Sequence, residues 1–314
     1  MNKPTIRIFL VRHGLSEANM DKTVNARKPD HAVELAGDPQ NEDPTENGHA
    51  QAYLAGLELV KQLQADTTAD PHAERVTSFG DGSLLQKRRI RLLVSPYLRT
   101  RQTAAGLRRA LDEAGIVYDQ REAMELREIS FGLYDGLSDA ELAVVFPREH
   151  AHYQKHVDFS GEIFAPMPMG ESRIEVGDRV KSIFGTILRD ATGSSRYSAE
   201  EISEMIVAGH ADALRVGPIL DFVVVGHGVT NRQFLGRWMH WDWEKIEAEP
   251  NPGNCAIHLI EGVSGAGYRE ERLFDGFRHV RGHEKQEQRE DGHVLPGIIR
   301  RGWRLRWPWS RSKG

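Results

Sequence analysis

Ile6-Arg-Ile-Phe-Leu-Val-Arg12-His13-Gly14-Leu-Ser16-Glu-Ala-Asn19 decides how the rest of the chain is to be read. Its first half is a short apolar run of the kind that fills a buried strand, and it empties directly into Arg-His-Gly. Open α/β sheets carry their chemistry just beyond the carboxyl ends of their strands, so a reactive side chain is expected here. An imidazole beside a fixed cation, followed by a glycine that lets a ligand approach the backbone, suits attack on a phosphoryl group. By itself an Arg-His pair describes a surface ion pair equally well. Two further segments repeat the arrangement.

Ile90-Arg-Leu-Leu-Val94 runs into Ser95-Pro96-Tyr-Leu-Arg99-Thr-Arg101-Gln-Thr103-Ala-Ala. Ser95 as N-cap and Pro96 as first helical residue predict a helix start, and Ala104, Leu107 and Leu111 supply its apolar stripe. Arg99 then falls in the first turn, where free N–H groups and the helix dipole already favour anions. Phe222-Val-Val-Val225-Gly226-His227-Gly228 is again an apolar strand ending in a histidine bracketed by glycines. Three strands thus deliver Arg12, His13, Arg99 and His227 to one edge of one sheet. A fourth segment, Met124-Glu125-Leu126-Arg127-Glu128-Ile129-Ser-Phe131-Gly132, sets carboxylates among apolar residues. Partial desolvation raises a carboxyl pKa, which a general acid for an alkoxide leaving group needs. Glu128 is the better candidate; the alternative is that Glu125 and Glu128 pair with Arg127 or Arg121 on a solvated face.

The succession Arg-His-Gly-x-Ser-x-x-Asn, Ser-Pro-x-x-Arg-x-Arg-Gln-Thr-Ala, Leu-Arg-Glu-x-x-Phe-Gly and Gly-His-Gly resembles the histidine phosphatase superfamily, which includes phosphoglycerate mutases and many phosphomonoesterases. Pro44-Thr45-Glu46-Asn47-Gly48-His49-Ala50-Gln51-Ala52 is similar to the helix start of that family, and the likeness spans about residues 5 to 262. Pro29-Asp30-His31, Gly170-Glu171-Ser172 and Asn251-Pro252-Gly253-Asn254 resemble its phosphatase-type, phosphoglycerate-mutase-like branch. The resemblance implies that His13 is a nucleophile forming a phosphohistidine and that Glu128 is the general acid and then base. It further implies that Arg12, Arg99 and His227 hold the phosphoryl oxygens, with Asn19 and Gly228 at the phosphate pocket. Charge on the three equatorial oxygens of a loose transition state is met by two guanidiniums and an imidazolium, so neither metal nor cofactor is expected. A mutase would use the same intermediate, but Ile129 and Phe131 stand where the mutase pattern after the acid carries Arg and Tyr. A non-catalytic phospho-ligand binder is the third class, and the full set His13, Arg12, Arg99, Glu128 and His227 argues against it.

Composition bounds the rest. With 314 residues and a net charge of −5 there is no general case for nucleic-acid binding, and a small phosphorylated substrate or a phosphoprotein is the expected partner. The single cysteine, Cys255, excludes an internal disulfide and reads as a small buried residue. No apolar stretch approaches a spanning helix, and a secretory signal would cut into the Arg-His-Gly segment, so a cytoplasmic location is expected. Strands at about 6–11, 90–95, 222–226 and 256–260 alternate with helices at about 46–64, 96–113, 171–190 and 199–214. That alternation predicts a three-layer α/β/α sandwich on a mostly parallel sheet.

Residues 66–89 read as a polar surface loop, and 131–170 as an irregular segment that the family pattern places over the catalytic edge as a cap. The catalytic domain is expected to run over 1–285. His150, His152 and His156, and likewise His279 and His283, lack the carboxylate framework of a metal site. Gly262-Val-Ser-Gly265-Ala-Gly267 opens no helix and reads as a turn. The tail 286–314 carries Trp303, Trp307 and Trp309 among Arg300, Arg301, Arg304, Arg306, Arg311 and Lys313. It is expected to be loosely docked, with contact to a membrane surface as the alternative.

Overall fold

A computed structural model of the chain describes residues 5–21, 27–65, 90–192, 219–263 and 265–278. A six-stranded sheet runs in the order β3-β2-β4-β1-β5-β6, built from β1 (Ile6–Arg12), β2 (Ile90–Val94), β3 (Tyr118–Glu122), β4 (Asp221–Gly226), β5 (Ile257–Val263) and β6 (Gly267–Phe274). The pairs β3–β2, β2–β4 and β4–β1 are parallel, whereas β5 and β6 add to β1 antiparallel.

Successive side chains of a strand point to opposite faces, and β1 uses both. Phe9 and Val11 enter one core with Leu92, Val94, Val223 and Val225, covered by helices α2 (Gly48–Ala65) and α3 (Leu98–Glu113). Ile6, Ile8 and Leu10 enter the other with Phe222 and Val224, covered by α6 (Arg173–Ala191) and α7 (Gly228–Trp238). Burial on both faces is why these strands read as continuous apolar runs. Register is locked at the amino ends, where Arg7 donates to Asp221 at 2.8 and 2.9 Å with both side chains buried. The expected three-layer sandwich is therefore what forms. Two strands come in addition to those expected: β3, and β6, which pairs with β5 across the turn at 263–267.

The smaller helices are α1 (Glu17–Asp21), α4 (Asp139–Val145), α5 (Pro147–Ser160) and α8 (Trp243–Ala248). The segment 131–170 corrects the irregular reading. It is helical, with Ser138 and Glu141 forming a capping box on α4 and Pro147 opening α5. It also has a small core of its own, in which Tyr134, Tyr153 and Ala165 pack with Leu142, Val157 and Met167. The chain enters and leaves it side by side: Leu133 N–H donates to the Pro168 carbonyl and Glu171 N–H to that of Ser130. Among the described residues no helix is long and apolar enough to cross a membrane. The loop 66–89, the helix expected at 199–214, the pair His279 and His283, and the tail lie outside the described residues.

Candidate functional site

The carboxyl ends of β2, β4 and β1 lie side by side, with Val94 opposite Val225 and Arg12 opposite Gly226. Segments more than a hundred residues apart in sequence thereby become neighbours. His13 N–H donates to the Gly226 carbonyl at 3.0 Å and Ser95 N–H to that of Val225 at 3.0 Å, so the ladder continues into the loops that carry the chemistry. The loop after His13 is held from three sides. Gly14 N–H donates to Thr103 Oγ1 at 3.0 Å, Leu15 N–H to Gln51 Oε1 at 2.9 Å, and Asn254 Nδ2 to the His13 carbonyl at 3.3 Å. Glycine is required where this loop meets the start of α2. A Cβ on Gly14 would come within 2.5 Å of the Gly48 carbonyl oxygen, and one on Gly48 within 2.1 Å of that of Leu15.

His13 is buried, and its Nδ1 lies 2.7 Å from its neighbour's carbonyl at Gly14. A carbonyl only accepts, so Nδ1 carries the hydrogen and Nε2 keeps its lone pair. Burial, then the charges of Arg99 and Arg12, push the His13 pKa well below its ordinary value, so the ring is neutral. An imidazole held in this tautomer is a competent nucleophile at Nε2.

His227 lies behind it, the two ring centroids 5.3 Å apart. Here the structure revises two expectations. Ser95 was expected to cap a helix, but α3 begins at Leu98 and the Ser95 hydroxyl sits 2.8 Å from His227 Nε2. His227 was expected as an imidazolium, but burial followed by the Arg99 charge holds its pKa well below normal. The Ser95 hydroxyl and Nε2 share one hydrogen bond, which leaves the second ring nitrogen, Nδ1. That atom is buried and has no protein partner among the described residues.

The charge comes from two guanidiniums. Arg12 is anchored through Nη1 to the Pro252 carbonyl at 2.6 Å, while its buried Nε has no protein partner among the described residues. Gly228 begins α7 against it, since a Cβ there would stand 3.7 Å from Arg12 Nε. Arg99 is buried in the first turn of α3, its Nη1 donating to both the carbonyl (2.7 Å) and the carboxylate (2.8 Å) of Asp30. Glu128 completes the cluster. Its segment is strapped down by Arg179, which donates to the main-chain carbonyls of Glu125, Arg127 and Glu128 at 2.6–3.0 Å. The Glu128 carboxyl accepts from Ile129 N–H at 3.0 Å and is 3.4 Å from Thr230 Oγ1. Burial raises its pKa against the lowering fields of Arg99 and Arg12. A buried carboxyl with a raised pKa therefore stands beside a buried imidazole with a lowered one and two guanidiniums.

Asn19 is placed differently from these five. Its amide oxygen accepts from Ser16 N–H (3.2 Å), Ser16 Oγ (3.1 Å) and Asn254 Nδ2 (3.1 Å), which commits that oxygen to shaping the loop. The sequence reading missed the supporting residues Ser95, Thr103, Gln51, Asn254, Asp30 and Arg179. All but Arg179 lie inside stretches whose motifs were recognised, but nothing in a motif says which sequence-distant atom a side chain will reach. Cys255 is buried beside Arg12 with φ +59°, and burial pushes its thiol pKa up, leaving it inert. Among the described residues no group of three or more His, Cys, Asp or Glu side chains is placed to hold a metal ion. His152 and His156 meet edge-on, and His150 Nδ1 lies 3.3 Å from the Tyr134 hydroxyl.

The model of the histidine phosphatase superfamily, branch 1, matches residues 82–217. Two phosphoglycerate mutase-like proteins of Arabidopsis thaliana, AT74 and AT74H, are 31% and 30% identical, covering 83% and 82% of this chain. Those matches take in 66% and 75% of the relatives' own lengths, so the chain spans just under two thirds of the first. A broad-range acid phosphatase of Saccharomyces cerevisiae is 24% identical over 81% of this chain and 84% of its own. The solved mycobacterial glucosyl-3-phosphoglycerate phosphatase in complex with VO3 superposes with a TM-score of 0.50 at 19% identity, over 87% of this chain and all of that one. The chain belongs to the histidine phosphatase superfamily.

Proposed function

We propose that this histidine phosphatase hydrolyses small phosphate monoesters through a phosphohistidine on His13. The observation that carries the reading is the pairing of a neutral His13, its Nδ1–H turned to the Gly14 carbonyl, with a Glu128 whose buried carboxyl favours its proton. Nε2 of His13 attacks phosphorus, the P–O bond to the leaving group breaks, and the Glu128 proton passes to the leaving oxygen. The positive charge left on the ring is eased by the Gly14 carbonyl at Nδ1. Water then attacks phosphorus and gives its proton to the Glu128 carboxylate. The P–N bond breaks, returning neutral His13, protonated Glu128 and inorganic phosphate.

Arg12 and Arg99, with the His227 ring and the amino end of α7 at Gly228, stabilise charge on the equatorial oxygens. Hydrolysis is favoured over mutase chemistry because Ile129 and Phe131 offer no polar group to retain a phosphorylated intermediate beside Glu128. The yeast relative is named as an acid phosphatase, in keeping with this reading.

The test is hydrolysis of p-nitrophenyl phosphate and of an alkyl phosphate in EDTA, with acid quench of the ³²P-labelled enzyme. Turnover with an acid-labile, base-stable adduct that His13→Ala lacks is the expected result. Activity lost in EDTA and regained with magnesium would refute it.

A further inference from the structure

Asp30 is an unexpected neighbour for a phosphate site. Its carboxylate is nearly buried, with 14% of the side chain exposed, and it ion-pairs with the very guanidinium assigned to the phosphoryl oxygens. A carboxylate there repels an incoming phosphate dianion, so its presence calls for a physical reason. The geometry supplies one. Asp30 opens a single helical turn over Asp30–Ala32, and that turn grips Arg99 at three points. The Arg99 main-chain N–H donates to the Val33 carbonyl at 3.0 Å, and Nη1 donates to both the Asp30 carbonyl and its carboxylate. A long side chain is thereby reduced to one orientation before any ligand arrives.

We propose that Asp30 is a positioning residue of this site: its carbonyl and carboxylate fix the Arg99 guanidinium before a phosphoryl group arrives. Its charge acts on Glu128 as well, and that part rests on the phosphatase reading, since only leaving-group protonation makes the Glu128 proton matter. Glu128 is faced by Arg12 from β1, Arg99 from α3, Arg232 and Thr230 from α7, Tyr97 at the start of α3, and the Ile129 N–H. Arg179 of α6 is spent on the Glu128 main-chain carbonyl. The cations favour the carboxylate, while Asp30 opposes a second negative charge and adds to the effect of burial. Asp30 is itself faced by Arg99, by Tyr97 and, from the segment 131–170, by Asp135. Partial burial and then the Asp30 charge push Asp135 up to about 6.

Two variants separate the two roles. Asp30→Asn keeps the shape and the main-chain contact but removes the charge; Asp30→Glu keeps the charge but displaces the clamp. The readout is kcat/KM, which reports the phosphorylation step, against pH for an alkyl phosphate and for p-nitrophenyl phosphate. In Asp30→Asn the basic limb for the alkyl substrate is expected to move acidward, with little movement for the aryl substrate. Asp30→Glu should keep the wild-type limb and lose about tenfold on both substrates.

An unmoved limb in Asp30→Asn, or an equal loss on both substrates at every pH, would overturn the charge role. Wild-type rates in Asp30→Glu would overturn the clamp. If the wild-type protein hydrolyses neither ester, the phosphatase reading falls, and infrared titration of the Glu128 carboxyl, with Glu128→Gln as blank, decides separately. A protonated-carboxyl band that fades at lower pH in Asp30→Asn supports the assignment; an unshifted band overturns it.

Discussion

Replacing Glu128 by Gln is the most informative single perturbation of this site, because the amide keeps the contacts and loses only the proton. The Gln oxygen can still accept from Ile129 N–H, where the carboxylate accepts at 3.0 Å, and stand near Thr230 Oγ1. What disappears is a carboxyl whose proton burial favours against the pull of Arg99 and Arg12. General acid catalysis contributes about 10² to 10⁴ in rate, or about 2.7 to 5.4 kcal/mol. The phosphorylation step with an alkyl phosphate should fall by that factor. An aryl phosphate leaves as a stabilised phenolate, so its phosphorylation step should fall less than about tenfold. In the proposed reaction Glu128 also accepts the proton of the attacking water, so hydrolysis of the phosphohistidine should slow for both substrates. Stopped-flow mixing with p-nitrophenyl phosphate should therefore give a burst of nitrophenolate equal to the enzyme, then slow turnover, with the phosphohistidine accumulating in acid-quenched samples. Equal slowing of the phosphorylation step for both esters, with no burst, would refute the assignment of Glu128 as leaving-group acid.

Ser95→Ala removes the hydroxyl at 2.8 Å from His227 Nε2 and leaves that buried nitrogen unpaired, which should lower kcat/KM about tenfold with little change in Tm. Gly48→Ala drives a Cβ to 2.1 Å from the Leu15 carbonyl, so urea denaturation should show a loss of about 3 kcal/mol or more together with lost activity. Asp221→Asn breaks the buried pair with Arg7 at the amino ends of the central strands β1 and β4 and should cost about 3–5 kcal/mol in the same assay, leaving kcat of the folded fraction unchanged. Exchanging residues 131–170 for another sequence should reorder a panel of phosphorylated metabolites while aryl phosphatase activity survives. An unchanged ranking would mean that this segment does not select the leaving group.

The parts of the fold visible in the sequence are those with one dominant cause. β1, β2 and β4 are buried on both faces and therefore announce themselves as apolar runs. β3, with the sequence Tyr-Asp-Gln-Arg-Glu, and β6, with four charged residues among eight, are edge strands that gain their order from pairing and show no such run. α7 escaped for a different reason: from Gly228 to Trp238 nearly every residue is buried, yet Thr230, Asn231, Arg232 and Gln233 among them are polar, so no apolar stripe marks a helical period. In 131–170 the aromatics read as irregular because their partners are local, Tyr134 meeting Tyr153 edge-on within the segment. The same division runs through the site. Arg12, His13, Arg99, Glu128 and His227 carry chemistry in their own side chains and stand out; Asp30, Ser95 and Thr103 act through atoms that only the folded chain brings near.

One physical cause sets both protonation states that the proposed reaction needs. Desolvation is the largest influence on both, lowering the His13 pKa toward the neutral ring and raising the Glu128 pKa toward the protonated carboxyl. Exposed to water at pH 5 to 6, the same two residues would tend toward the reverse, an imidazolium and a carboxylate, which can neither attack nor protonate. The arrangement works against stability on both sides. A base with a depressed folded pKa binds fewer protons than the unfolded chain, so stability contributed by His13 is lost as pH falls below its unfolded value. An acid with a raised folded pKa binds more, so stability at Glu128 is lost as pH rises from its unfolded value through the folded one. Glu128→Gln relieves the second of these and should raise Tm at pH 8 relative to pH 5, measured against the wild type by scanning calorimetry. A Tm difference that does not grow with pH would mean that the Glu128 charge is accommodated by Arg12 and Arg99, and that its proton is not held by the site.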